Sequence, residues 1–484
     1  MPEKKQLIEP RTLKGFQDFL PEDLIVRKEV VRAIETVFER YGFVPLETPA
    51  LEHLDTLLGA GSEETNKDLF RLETPEAEPI ALRFDHTVPF ARLMAQYPDR
   101  LKAPFRRYAV GPVWRADKPG PGRFRQFTQL DIDTAGAETV AVDAELVAVM
   151  CEAMAAAGTP SFAILINNRK LIDALLEACG IHDADKQKHV LRVIDKLAKV
   201  GVDNIRLELA DGRIDDSGDP IPGVHLDTPT IDRILAFIAV KGDTRADVVA
   251  RLGEVLPASD AAAVALDEMR ELDACLNALG ISEDRARFAP SLARGLDYYT
   301  GPVFEIVLPQ APEFGSVGGG GRYNQLVERF LDRPIPCSGF SVGLDRLMAA
   351  LTHLGAVPKA RTTTQALVVT MGKVPPSETL RVAAELRAAG IRAEAYFANK
   401  KKMGMKFQLA HADQYEIPVA VILGEDELAN GMVSIKDLYA GKQEREHIEN
   451  RDAYLEAGKT LCFSELVSHT LGEYAQNVLS FRTQ

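Results

Sequence analysis

Cysteine, tryptophan and long apolar runs are all scarce in this chain. Its 484 residues hold five cysteines and a single tryptophan. The cysteines (Cys151, Cys179, Cys275, Cys337, Cys462) are far apart, with no C-x-x-C pair. That argues against a zinc ribbon or a disulfide scaffold and reads as the reduced thiols of a cytoplasmic protein. No stretch approaches the ~18 uninterrupted apolar residues of a membrane span, and Met1-Pro-Glu-Lys-Lys opens no secretory apolar run. H-E-x-x-H and G-x-x-x-x-G-K-[ST] are missing, against a zinc protease or a P-loop enzyme. Basic charge is in deficit: 57 Lys and Arg stand against 71 Asp and Glu, a net −14. A surface that binds nucleic acid everywhere is therefore excluded.

The basic residues present are unevenly placed. Residues 104–125 carry Arg106, Arg107, Arg115, Lys118, Arg123 and Arg125 against Asp117 alone. Such a strip on an acidic body suits a phosphorylated ligand or one particular nucleic acid.

Periodicity divides the chain. Apolar residues at Leu24, Ile25, Val30, Val31, Ile34, Val37 and Phe38 predict a helix stopped by Tyr41-Gly42. Phe43 to Glu47 reads as a strand. Arg107–Val113 and Phe127–Thr134 read as antiparallel strands around the Pro/Gly loop Lys118–Gly122, and Val140–Ala157 as a helix. From about 171 to 290 the pattern is mostly helical, broken at Asp211–Asp227, as in an inserted helical domain. Pro302–Leu308 is strand-like and Gly339–Leu347 reads as strand into helix. Beyond a hinge near 353–364, β and α segments alternate, predicting a small doubly wound α/β domain.

Four segments carry candidate chemistry. In Arg83-Phe-Asp85-His-Thr87, read as a strand, Asp85 and Thr87 share a face and both accept hydrogen bonds, which suits an ammonium group. Arg115 and Arg123 flank the Pro/Gly loop, where guanidinium forks can clamp phosphates. After it Phe127, Gln129, Asp131 and Asp133 fall on one strand face. Arg294-Gly-Leu-Asp-Tyr298-Tyr299 sets an arginine beside two tyrosines, and Arg is seldom buried unpaired. Gly318–Gly321, ahead of Arg322-Tyr323, lacks phosphate-loop spacing and reads as a loop; Gly339–Arg346 follows.

In this order the segments resemble the histidyl-tRNA synthetases of class II. Lys14–Pro21 is similar to their N-terminal signature, and the first helix and strand to motif 1. Arg115–Asp133 resembles motif 2, Gly339–Arg346 motif 3, and Arg294–Tyr299 with Arg322-Tyr323 the histidine signatures; Ala366–Leu438 resembles their anticodon-binding domain. Asp85 and Asp133 stand where many members have Glu.

The resemblance implies an α+β fold, a class II antiparallel sheet flanked by helices, with a helical insertion and a C-terminal doubly wound α/β anticodon-binding domain. The ranges would be 1–170 and 289–355 for the catalytic core, 171–288 for the insertion, 365–470 for the anticodon domain and 471–484 for a tail. It implies ATP-dependent activation of L-histidine and its transfer to histidine tRNA, with Mg2+ on the ATP, no protein-held metal, a homodimer and no membrane contact. Arg115 and Arg294 would be catalytic; Arg115, Arg123, Phe127 and Arg346 would bind ATP. Asp85, Thr87, Gln129, Asp133, Arg294, Tyr298 and Tyr299 would bind histidine. Lys400, Lys401, Lys402 and Lys406 are the candidate tRNA contacts. The rival reading is a non-catalytic relative, a regulatory subunit of ATP phosphoribosyltransferase, which would lack the last domain and the arginines.

Overall fold

The computed structural model describes residues 8–58, 67–215, 217–293, 299–357, 360–399, 403–438 and 459–461. The chain divides into two compact units, 1–18 with 30–357 and 19–29 with 358–484.

The first unit is built on an eight-stranded sheet. In chain order its strands are β1 (Val44–Pro45), β2 (Phe105–Trp114), β3 (Gln126–Ala135), β4 (Ala163–Asn168), β5 (Ala286–Phe288), β6 (Pro302–Val307), β7 (Ser316–Arg322) and β8 (Cys337–Gly343). Across the sheet they run β1-β2-β3-β8-β7-β6-β4-β5. Only the edge pairs β1–β2 and β4–β5 are parallel; the other pairings are antiparallel. The β2–β3 hairpin pairs Phe105 with Ala135 and Trp114 with Gln126, closing on the Pro/Gly loop. The expected strand at 43–47 is reduced to two residues on the sheet edge.

Alternation along the central strands separates two faces. Leu130, Ile132, Phe340 and Val342 are buried on one face. That face is covered by α3 (Ala141–Ala156) and by the part of α1 (Pro21–Arg40) that belongs to this unit, from Val30 on: the Phe38 ring meets Phe340 edge-on, and Asp143 of α3 binds Ser338 and Arg322. The other face carries Phe127, Gln129, Asp131, Asp133, Gly339, Ser341, Gly319 and Gly321. Over it lies α2 (Thr87–Gln96), because the Arg107 guanidinium stacks 4.7 Å from the Phe90 ring centre.

The glycine run is not a loop. Gly318–Gly321 lies inside β7, between β6 and β8. A Cβ at Gly320 would sit 2.5 Å from Phe340 Cα, and one at Gly318 2.8 Å from the Ser341 carbonyl. Glycine therefore serves close strand packing as well as a bare floor on the opposite side.

Between β4 and β5 the chain is helical except for the hairpin Gly212–Ile214/Pro220–Pro222, as the periodicity predicts. Near the end of the residues 171–290 read as helical, β5 returns to the sheet edge, too short to interrupt that pattern.

The second unit holds a five-stranded sheet of β9 (Ala366–Thr370), β10 (Ala393–Ala395), β11 (Val419–Leu423), β12 (Met432–Asp437) and β13 (Lys459–Leu461). Strand β9, between β10 and β11, is parallel to both, and β12 and β13 add antiparallel beyond β11. Ala366 and Val368 face one apolar cluster with Val382 and Leu386, whereas Leu367 and Val369 face another with Ala412. A strand buried on both faces explains the unbroken apolar run.

Candidate active site

Cross-strand neighbours share a face, so the register builds the site floor. One row runs Arg107–Asp133–Gly339–Gly321 across β2, β3, β8 and β7. The next runs Ala109–Asp131–Ser341–Gly319, and a third Gly111–Gln129–Gly343. Carboxylates and an amide on β3 thus look out beside strands stripped of side chains. The Tyr299 ring occupies part of that space, since a Cβ on Gly321 would lie 2.9 Å from its Cδ1.

The segment Arg83–Thr87 crosses this floor and forms a wall. Here the structure corrects the strand reading. The strand ends at Leu82, and Thr87 is the first residue of α2. The Asp85 Oδ1 accepts the Val88 amide at 3.0 Å, an acidic cap on a helix start whose amides need acceptors. Asp85 and Thr87 are therefore neighbours around a helix start, not partners on a strand face. Buried Arg83 ties the segment down, donating to the carbonyls of Thr48 and Pro112.

Arg115 donates to the Phe84 carbonyl at 3.0 Å, and its guanidinium lies 5.3 Å from the Phe127 ring centre. Arg123 is ion-paired with Asp117 within the loop. Gly122, at the loop's end, lies against Arg346: a Cβ there would be 3.1 Å from Arg346 Cα. Arg346 is on α4 (Leu344–His353) and donates to the Ser316 carbonyl. Its neighbour Asp345 accepts the Thr128 amide at 2.7 Å, fastening α4 to β3. Arg115, Arg123, Phe127 and Arg346 thus gather around the loop end of the hairpin.

At the opposite end of the β3 face, Asp133 accepts the Tyr323 hydroxyl and sits 2.5 Å from Arg107 Nη2. Between them Asp131 accepts the Ser341 hydroxyl. The buried Gln129 Oε1 accepts no hydrogen bond among the described residues, an acceptor left for a ligand. Burial pushes the Asp85 and Asp133 carboxyls up to about 6, partly offset by the Val88 amide and then Arg115 and Arg107 at the first and by Arg107 at the second. Burial beside Arg83 and Arg107 lowers His86 to about 3, leaving a neutral ring. The site combines buried carboxylates for a cationic or N–H-bearing ligand with guanidiniums and an aromatic plane for a nucleotide.

Arg294, Tyr298, Lys400, Lys401 and Lys402 lie outside the described residues. Lys406 is exposed in the first turn of the helix Met405–Gln414 of the second unit. In the sequence Arg107 is one of the basic strip and Tyr323 part of the glycine-rich segment, and neither pattern gives it a role at the site. For Arg107 a signal existed: counted back from the hairpin loop, it falls opposite Asp133, a charge pair at matched positions.

The family model described as Histidyl-tRNA synthetase matches residues 15–347, and that described as Anticodon binding domain matches 365–457. The chain belongs to the histidyl-tRNA synthetase family. It is 42% identical over 460 residues to the histidine–tRNA ligase of Caulobacter vibrioides, covering 92% of each chain. It is also 42% identical to that of Paracoccus denitrificans, covering 90% of this chain and 92% of the relative. Among solved structures, the histidyl-tRNA synthetase of Nostoc sp. PCC 7120 superposes with a TM-score of 0.78 at 31% identity, over 90% of this chain and 96% of that one. A Bacillus halodurans protein titled ATP phosphoribosyltransferase regulatory subunit/histidyl-tRNA synthetase shares the fold, with a TM-score of 0.69 at 22% identity, over 87% of this chain and 99% of that one.

Proposed function

We propose that the protein activates L-histidine with ATP and transfers it to the 3′ end of histidine tRNA. In the first step a histidine carboxylate oxygen attacks the α-phosphorus of MgATP, and pyrophosphate leaves. In the second, a terminal ribose hydroxyl of the tRNA attacks the acyl carbon of histidyl-adenylate, and AMP leaves. Neither step needs a long proton relay; both need positioning and neutralised charge.

Arg115 holds the α-phosphate, Phe127 stacks on adenine, and Arg123 and Arg346 face the distal phosphates and the adenine side. Arg123 must exchange Asp117 for phosphate, and Asp117 thereby keeps the guanidinium in place before ATP arrives. Asp85, Thr87 and Gln129 take the α-ammonium. Asp133, with Tyr299, takes the imidazole, whose donor and acceptor edges let a polar pocket reject apolar competitors by ~10⁴-fold. Arg294 neutralises charge between carboxylate and α-phosphate, and Tyr298 belongs to the same histidine signature. Lys406, with Lys400 to Lys402, contacts tRNA. The ranges 1–170, 171–288, 289–355 and 365–470 serve as core, insertion, core and anticodon domain, in a cytoplasmic homodimer.

The convergence of Arg115, Phe127, Gln129 and Asp133 on one sheet face, with Asp85 on the segment that walls it, carries this reading. The regulatory-subunit alternative is not favoured, because the curated relatives carry the ligase name over nearly the whole chain. ATP–pyrophosphate exchange measured with each of the twenty amino acids tests it: histidine alone should respond. A response to another amino acid, or to none, rejects it.

A further inference from the structure

Arg107 is 0% exposed, and a fully buried arginine demands a reason. Its position in the middle of β2 sets it directly opposite Asp133. Nη2 donates to the His86 carbonyl at 3.1 Å and lies 2.5 Å from Asp133 Oδ2, while the guanidinium stacks on Phe90. Its Nε and Nη1 have no hydrogen-bond acceptor among the described residues. Optimised for stability alone, such a site would hold an apolar side chain, since a buried ion pair is often no better than a well-packed hydrophobic substitute. The cation is retained where its field matters.

Two contacts fix Asp133: the Tyr323 hydroxyl on Oδ1 and Arg107 against Oδ2. Ionisation matters as much as orientation. An ionised carboxylate only accepts hydrogen bonds, whereas a carboxylic acid also donates. We propose that Arg107 is a positioning residue for histidine selection, holding Asp133 as an oriented carboxylate that accepts the imidazole N–H. This rests on the reading of Asp133 as the imidazole partner.

The charged and titratable groups around the pair are Asp131 on the same strand as Asp133, Tyr323 after β7, Cys337 on β8 with Arg322 of β7 near it, and Arg83, Asp85 and His86 on the crossing segment. Neutral His86 adds no charge there. Asp131 opposes ionisation of Asp133, and Arg107 is the largest influence favouring it. An opposite charge within ~4–6 Å lowers a carboxyl pKa by about 1–3. With Asp133 already at about 6, a rise of about 2 on losing Arg107, the middle of that range, turns a mostly ionised group at pH 7 into a mostly protonated one. The accepting form then falls ~10-fold.

The test is histidine- and ATP-dependent pyrophosphate exchange from pH 6 to 9, on the full chain and on Arg107→Met, Arg107→Gln, Arg107→Lys and Asp133→Asn, with melting curves. Arg107→Met should raise the histidine KM ~10-fold at pH 7, an effect that shrinks toward pH 9, with the ATP KM unchanged. Arg107→Gln, which keeps a donor for the His86 carbonyl, carries the same test if the Met variant fails to fold. Arg107→Lys should restore most of the histidine affinity. Asp133→Asn should raise the histidine KM at every pH without recovery. If Asp133→Asn is impaired but the neutral Arg107 variants keep the wild-type histidine KM and pH profile, Arg107 is only structural and the proposal falls. If Asp133→Asn leaves the histidine KM unchanged, the reading beneath it fails instead.

Discussion

Adding one methyl group at Gly339 should injure histidine recognition far more than ATP recognition. Gly339 lies beside Asp133 in the sheet, and a Cβ there would fall 2.1 Å from Asp133 Oδ1 and 2.4 Å from the Ile132 carbonyl oxygen. Carbon and oxygen tolerate about 3.3 Å, so the carboxylate must retreat by roughly 1 Å, leaving Tyr323 and Arg107. The Ile132 carbonyl is backbone and cannot swing away, so overpacking should also cost about 1–3 kcal/mol of stability. A misplacement of ~1 Å in a positioned group costs about 100-fold in rate. Gly339→Ala should therefore lose roughly two orders of magnitude in kcat/KM for histidine in pyrophosphate exchange, with the ATP KM nearly unchanged. Gly253→Ala is the control: it lies in the helix Arg245–Val255, where its Cβ would meet only Leu266 Cδ1 at 3.8 Å, so activity should hold and the melting temperature should stay level or rise slightly. A Gly339→Ala enzyme with the wild-type histidine KM, or one equally damaged toward both substrates, would refute the reasoning.

Phe127→Ala should raise the ATP KM by about 5- to 150-fold, the range of ~1–3 kcal/mol for losing one base–aromatic stack; an unchanged ATP KM removes Phe127 from the adenine site. His86 should not titrate between pH 5 and 8 when its ring is followed by NMR. Its folded pKa, about 3, lies below the unfolded 6.5, so the unfolded chain takes up the proton first. The stability His86 contributes is present above pH 6.5 and is lost as pH falls toward 3; a ring titrating near 6.5 contradicts this. Lys406→Glu should leave adenylate formation intact, weaken tRNA binding and lower the salt slope of tRNA affinity by about one or more. An unchanged slope means that Lys406 is merely solvated.

What was legible in the sequence was set by local periodicity. The β2–β3 hairpin, the strand-to-helix run ending in α4 and the alternation of Phe127, Gln129, Asp131 and Asp133 follow from spacing, because one face of each element is buried. Asp85 and Thr87 misled because the acid two places before Thr87 reads equally well as strand alternation or as a helix cap. The cap prevails through the Val88 amide. The glycine run misled for the opposite reason: β7 takes its shape from Phe340 and the neighbouring carbonyls, which no local pattern reveals. Arg107 and Tyr323 acquire meaning only through pairing with Asp133, one across a hairpin and the other from 190 residues away. The antiparallel strands β12 and β13 likewise depend on tertiary pairing.

The central claim is that one sheet face seats both histidine and ATP. A crystal structure of the protein with histidine and a non-hydrolysable ATP analogue tests it most directly. The account predicts the imidazole against Asp133, the α-ammonium at Asp85, adenine on Phe127 and the α-phosphate at Arg115. Either ligand bound away from that face, or an imidazole turned from Asp133 toward solvent, would contradict it.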